Sequence, residues 1–194
     1  MRLPKLLRLK KSSEQSHTAV YDLTYKNRMD NEKIYTIMSR SKELTTDSLG
    51  GKTDAVIMLV LSSDLSKTLL LKEFRMGLNK VIINSPAGLI DPGENIITAA
   101  TRELKEETGY DLKSVLHELN PGYSSAGITD EKVAVVICTV DESIVETQGL
   151  SANEDIDYDW YTIDQMIILH ESYEFDIRTE LLCQIWKLMM LQKK

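Results

Sequence analysis

Glu103, Glu106 and Glu107 stand at positions i, i+3 and i+4, a spacing that sets three carboxylates on one face of a helix. Like charges so placed destabilise a helix by roughly 0.2–0.5 kcal/mol per pair, so something is expected to offset them. A divalent cation with oxygen ligands would do so, and Mg²⁺ is the natural partner of carboxylates. Upstream, Pro86-Ala87-Gly88 and Asp91-Pro92-Gly93 carry tight-turn chemistry. They are expected to fold a loop back onto the helix start and bring Glu94 near the other carboxylates. Taken alone, the glutamates read first as a solvated acidic helix face.

The helix that positions them is expected over Asn95–Thr108, with Asn95 as N-cap and Gly109 just past its end. Apolar runs at Ala55–Leu61, Leu69–Phe74, Val81–Ile83, Lys132–Val140 and Ile156–Tyr161 read as buried strands. Ile177–Leu191 carries apolar residues at 177, 181, 182, 185, 188 and 189, a helical stripe expected to close the domain. Polar–apolar alternation around Thr18–Tyr25 and Lys33–Met38 predicts a small N-terminal sheet, joined to the rest by the polar Gly50-Gly51 segment 41–53. This order of elements predicts a mixed α/β domain of the α+β kind, with a mixed or antiparallel sheet rather than a doubly wound one.

A chain of 194 residues, 42% hydrophobic and 27% charged, is long enough to bury a core. Its net charge of −7 argues against nucleic acid, which is held by Lys and Arg on phosphates. A small phosphorylated substrate stays open, because a metal overrides the global charge locally. Cys138 and Cys183 sit in apolar runs without metal or disulfide spacing, which suits a reducing cytoplasm. No stretch is apolar enough for a membrane span. Residues 1–11 are basic, with leucines at 3, 6, 7 and 9 and no secretory h-region. They read as a first strand or a frayed end, with a membrane-surface helix as the minor alternative. His17, His117 and His170 form no ligand pair and read as structural or exposed.

Gly88, Glu94, Arg102-Glu103, Leu104, Glu106-Glu107 and Gly109 together resemble the Nudix box, with Tyr110 at the family's final apolar position. Leaving out the apolar position Leu104, seven fixed residues at roughly 5–7% usage recur by chance about once in 10⁸ positions, which sets aside the plain acidic face. The resemblance implies a Nudix fold, a mixed sheet sandwiched by helices. It implies Glu103 and Glu107 as metal ligands, with Glu106 serving a second metal or its network. Arg102 would hold a glutamate by a bidentate fork. Glu94 would be a supporting or metal-linked carboxylate, and the Ala87 carbonyl a further ligand. The implied chemistry is hydrolysis of a pyrophosphate polarised by Mg²⁺, or by Mn²⁺ in its place.

Lys72-Glu73-Phe74-Arg75 and Pro86-Ala87-Gly88 resemble the ADP-ribose pyrophosphatase branch, whose strand reads Gln-Phe-Arg. There Arg75 would contact the diphosphate. The loop Ser125-Ala126-Gly127-Ile128-Thr129-Asp130-Glu131 resembles that branch's Ser-Pro-Gly loop, with Glu131 as catalytic base or metal-linked acid and Ala126 departing from the proline. Residues 33–40 match a strand whose aromatic stacks on adenine, here Tyr35, followed by an arginine, here Arg40. The branch implies a homodimer built through an N-terminal β subdomain, here 1–50, preceding the hydrolase domain at 51–194. The expected reaction converts ADP-ribose to AMP and ribose 5-phosphate. Alternatives are another nucleoside diphosphate sugar such as GDP-mannose, a dinucleotide, or a non-catalytic nucleotide-sensing domain.

Overall fold

The computed structural model describes residues 3–150 and 155–191. Those parts of the segments 1–11, 1–50 and 51–194 that fall on other residues lie outside the described chain. By its internal contacts the chain forms two compact units. One runs up to Ala55 and takes in Pro121–Val133; the other comprises Val56–Asn120 and the chain from Ala134 onward.

The first unit is built on a sheet in the order β1 (Lys5–Glu14), β2 (Ala19–Lys26), β3 (Glu32–Ser39), antiparallel throughout. Alternation along β2 turns Ala19, Tyr21 and Leu23 inward, where they pack with Ile37 and Leu44. The Tyr21 hydroxyl donates to the Ser41 carbonyl (3.0 Å) and accepts from the Leu44 N–H (3.1 Å), which pins the connector. The basic N-terminal segment is a strand. Its Leu6 and Leu9, three residues apart, both pack on the core because a register shift lies between Leu6 and Arg8.

The second unit holds most of a seven-stranded sheet of order β10-β5-β4-β9-β8, with β6 on β5 and β7 on β4. The strands are β4 (Ala55–Leu61), β5 (Thr68–Arg75), β6 (Lys80–Asn84), β7 (Ala87–Leu89), β8 (Tyr110–Tyr123), β9 (Lys132–Val145) and β10 (Ile156–Tyr161). One face packs Val56, Met58, Val60, Leu69, Leu71 and alternate residues of β9 against Ala99, Ala100 and Leu104 of helix α1 (Ile96–Thr108). The other packs Leu70 and Ile83 against helices α2 (Ile163–Leu169) and α3 (Ile177–Leu191) through Met166, Leu169 and Cys183. Burial on both faces explains why β4 and β5 read as continuous apolar runs rather than alternations. This is a mixed sheet sandwiched by helices.

Three elements depart from the sequence reading. Ala87–Leu89 forms a short strand where tight-turn chemistry is expected, while Pro92-Gly93 does turn, with Gly93 at φ +90°. β8 gives no periodic signal because nearly all its central side chains are exposed; as an edge strand it also tolerates Pro121. α2 begins with a capping box from Thr162 and Gln165 that the sequence does contain.

The face of α3 also differs. Of the apolar stripe expected at 177, 181, 182, 185, 188 and 189, only Leu182 is buried; it turns inward with Thr179, Cys183 and Trp186. Trp186 buries fully and donates its indole N–H to the Leu65 carbonyl (3.0 Å). The largest apolar surface takes the inward position and sets the rotation of the helix.

Helix α1 is fixed at both ends. Asn95 accepts from the Thr98 N–H (2.9 Å), as an N-cap does. At the far end Gly109 adopts φ +75° and donates to the Lys105 carbonyl (2.8 Å). Two further carbonyls of the last turn find distant donors: Gly149 N–H on Glu106 (2.8 Å) and Gln148 Nε2 on Glu107 (2.6 Å). Lys105 bridges Asp111 and Glu146, each at 2.9 Å. A Cβ at Gly109 would lie 1.9 Å from the Glu146 carbonyl oxygen, so both conformation and space demand glycine there. Gly109→Ala is therefore expected to lower the unfolding free energy by about 2 kcal/mol or more, read by urea denaturation. A loss below about 0.5 kcal/mol, the range of neutral surface changes, would contradict this packing.

Candidate active site

Strand β7, the loop that follows it and helix α1 bring six of the expected residues together: Ala87, Glu94, Arg102, Glu103, Glu106 and Glu107. Arg102 is the centre. Its Nε and Nη2 fork the two oxygens of Glu94 (3.0 and 2.9 Å). Its Nη1 reaches Glu103 (2.9 Å) and Glu106 (3.2 Å), and Nη2 also donates to the Leu89 carbonyl (2.9 Å). The fork and the Asp91 N–H hold the Glu94 carboxyl below the usual carboxylate range. The hydrogen bond to Glu94 in turn raises Arg102 further above its already high value. A lysine, with one compact ammonium, could not make this set of directed bonds.

Glu107 lies on the buried side of the same helix, 7% exposed, and its Oε2 accepts the Ala87 N–H (3.1 Å). Burying a carboxylate this far demands such a donor. Gly88, next in the strand, leaves the space that Glu103 occupies: a Cβ there would fall 1.8 Å from the Glu103 carboxyl carbon. The Gly88 backbone is thus a floor against which the Glu103 carboxylate rests.

These residues suit a hard divalent cation by their chemistry. Glu94, Glu103 and Glu106 divide one guanidinium, which leaves negative charge in surplus, and every donor is a hard oxygen. Among the described residues no three acidic, histidine or cysteine side chains converge in ligand geometry. Arg102 supplies part of the charge compensation that the three-glutamate spacing calls for, through its fork on Glu94 and its bonds to Glu103 and Glu106.

Arg75, at the end of β5, is half exposed and donates to Glu73 at 2.5 Å. Glu73 also accepts from Asn84 Nδ2 (2.8 Å). Both cysteine thiols are pushed up to about 12 by burial, so neither serves as a nucleophile near neutral pH.

Tyr35, Arg40 and Glu131 belong to the first unit, which gathers them by itself. Loop 124–131 lies along β3: the Met38 N–H donates to Ile128 (2.9 Å), and the Tyr35 hydroxyl donates to the Gly127 carbonyl. Arg40 Nε donates to Glu131 Oε1 (2.6 Å), and Ser124 Oγ donates to Oε2 (2.7 Å). Ser124 escapes sequence reading because its partner stands seven residues away across a loop of no fixed pattern. An open cleft of about 310 Å³ beside this loop is lined by Tyr25, Tyr35, Tyr123, Leu49 and Ala126.

Gly88→Ala separates site from fold. The atoms in the way are the end of a side chain, so Glu103 can swing aside at a cost of about 1 kcal/mol. Turnover is expected to fall at least about tenfold while the unfolding midpoint stays nearly unchanged. Full activity in this variant would show that the resting place of Glu103 has no part in the chemistry.

Comparison with known proteins gives the family. The NUDIX domain family model matches residues 51–181. An ADP-ribose pyrophosphatase of Saccharomyces cerevisiae is 33% identical over 188 residues, covering 91% of this chain and 79% of that protein. An ADP-ribose pyrophosphatase of Bacillus subtilis is 32% identical over 129 residues, covering 66% and 69%. A crystal structure of an ADP compounds hydrolase superposes with a TM-score of 0.76 at 19% identity, over 100% of this chain and 97% of that one, and so shares the fold. The box centred on Arg102 lies inside the matched span, and the chain belongs to the Nudix family of hydrolases.

Proposed function

We propose that the protein hydrolyses the pyrophosphate bond of ADP-ribose, with Mg²⁺, to AMP and ribose 5-phosphate. The observation that carries this reading is the likeness to two ADP-ribose pyrophosphatases, one of them along nearly the whole chain. The carboxylate cluster around Arg102 supports it chemically.

Glu103 and Glu107, with the Ala87 carbonyl, would hold the cation, and Glu94 and Glu106 would complete its surroundings. When bound, the ion supplies Lewis-acid polarisation of the phosphoryl oxygens. Arg102 holds Glu94, Glu103 and Glu106 in place, so little reorganisation is left for the moment of reaction. Arg75 would bind the diphosphate by its free N–H groups. Glu131 would take the proton from the attacking water; the carboxylate is held ready by Ser124 and Arg40. Tyr35 and Arg40 would serve the nucleoside end, and the tyrosine-lined cleft supports that assignment. A homodimer built through the N-terminal sheet and a cytoplasmic setting complete the proposal; two buried free thiols suit that reducing compartment. Ala126, where the branch carries proline, favours one second reading, the same chemistry on GDP-mannose or a dinucleotide.

The test is product analysis on ADP-ribose, GDP-mannose and diadenosine compounds with Mg²⁺ and with EDTA. AMP release from ADP-ribose that EDTA abolishes is the expected result; turnover of another compound alone would move the substrate and keep the chemistry. Glu107→Gln keeps the shape and removes one charge, and is expected to reduce turnover by far more than tenfold, about 1.4 kcal/mol. A variant retaining more than a tenth of the rate would remove Glu107 from the ligand set.

A further inference from the structure

Arg75 is tied to a chain of polar groups that reaches back into the protein interior. The Ser85 N–H donates to Thr179 Oγ1 (2.8 Å), and that hydroxyl donates to Asn84 Oδ1 (3.2 Å). Asn84 Nδ2 donates to Glu73 Oε2 (2.8 Å), and Glu73 Oε1 accepts from Arg75 Nη1 (2.5 Å). Thr179, Asn84 and Ser85 are buried, and the Glu73 side chain is only 13% exposed. Each group has one consistent role: the Thr179 hydroxyl accepts on one side and donates on the other. This sets which end of the Asn84 amide faces Glu73.

An ordinary surface ion pair has neither feature. It leaves both partners solvated and mobile and contributes little. Here a carboxylate is withdrawn from water, both its oxygens are committed, and the result is one half-exposed guanidinium held in place. Alternation along β5 tells where. Leu69 and Leu71 pack against α1, and Glu73 and Arg75 continue on that same face of the sheet, the face covered by the helix of the glutamates.

We propose that Glu73 is a positioning residue for the diphosphate: through Asn84 and Thr179 it fixes the Arg75 guanidinium, so that its remaining N–H groups are oriented before substrate arrives. This rests on the reading of Arg75 as a diphosphate contact. Ordering the side chain during folding removes that entropic cost from binding. The carboxylate at position 73, where the resembling branch carries glutamine, accepts with both oxygens at once, whereas an amide has one acceptor oxygen.

The test is steady-state kinetics of Arg75→Ala, Glu73→Ala, Glu73→Gln and the double alanine variant, on whichever diphosphate of the substrate panel the protein turns over fastest. Glu73→Ala is expected to raise KM about tenfold with kcat within twofold of wild type. Glu73→Gln, which keeps one acceptor for Arg75, is expected to recover part of the loss. In the Arg75→Ala background the Glu73 substitution should add no further change. An unchanged KM in Arg75→Ala would overturn the reading of Arg75 and the inference with it. A raised KM in Arg75→Ala beside an unchanged KM in Glu73→Ala would overturn the inference alone. Equal losses from Glu73→Ala with and without Arg75, or a loss in kcat rather than KM, would make Glu73 merely structural. Glu73→Gln carries the same comparison should the alanine variant fail to fold.

Discussion

Arg102 binds Glu94, Glu103, Glu106 and the Leu89 carbonyl at once, and the loop before α1 is tied to the helix through that one side chain. Three carboxylates arranged around one side chain repel each other, and a structure that gathers them must hold something positive among them. A guanidinium does so with planar, directed donors and remains charged at every accessible pH. The surplus of negative charge left over suits a hard divalent ion.

Holding that cluster in register is work for the rest of the second unit. The sheet is buried on both faces, and α1 lies against one of them through Ala99, Ala100 and Leu104. Two small side chains there let the helix approach the sheet closely. This leaves Glu107 on the covered side, where it meets the Ala87 N–H, and Glu103 against the bare backbone of Gly88. The segment around Gln148 closes the last turn of the helix by taking up the carbonyls of the very residues, Glu106 and Glu107, whose side chains face the site. Fold and site share these backbone atoms.

What could be read from the sequence was local. The helix over 95–108, its caps, the buried strands and the box all depend on neighbours within a few residues, and their spacing carries them. The interactions that escaped connect distant positions: Gln148 with Glu107, Thr179 with Asn84, Ser124 and Arg40 with Glu131. No periodicity encodes such partners. β8 escaped for a different reason, since a strand that buries few side chains has no apolar rhythm. The inward face of α3 went to Trp186 and Cys183 because burial area, not the number of apolar residues in a stripe, decides which side of a helix turns in.

The central claim is that the carboxylates gathered around Arg102 and Gly88 hold a divalent cation. The most direct measurement is a titration with Mn²⁺ followed by electron paramagnetic resonance, on the full chain and on Glu103→Gln, without substrate. Saturable binding by the full chain, weakened at least about tenfold in the variant at unchanged circular dichroism, is the expected result. Equal Mn²⁺ affinity in the two proteins would contradict the account and leave the cluster as a charge network that binds no metal.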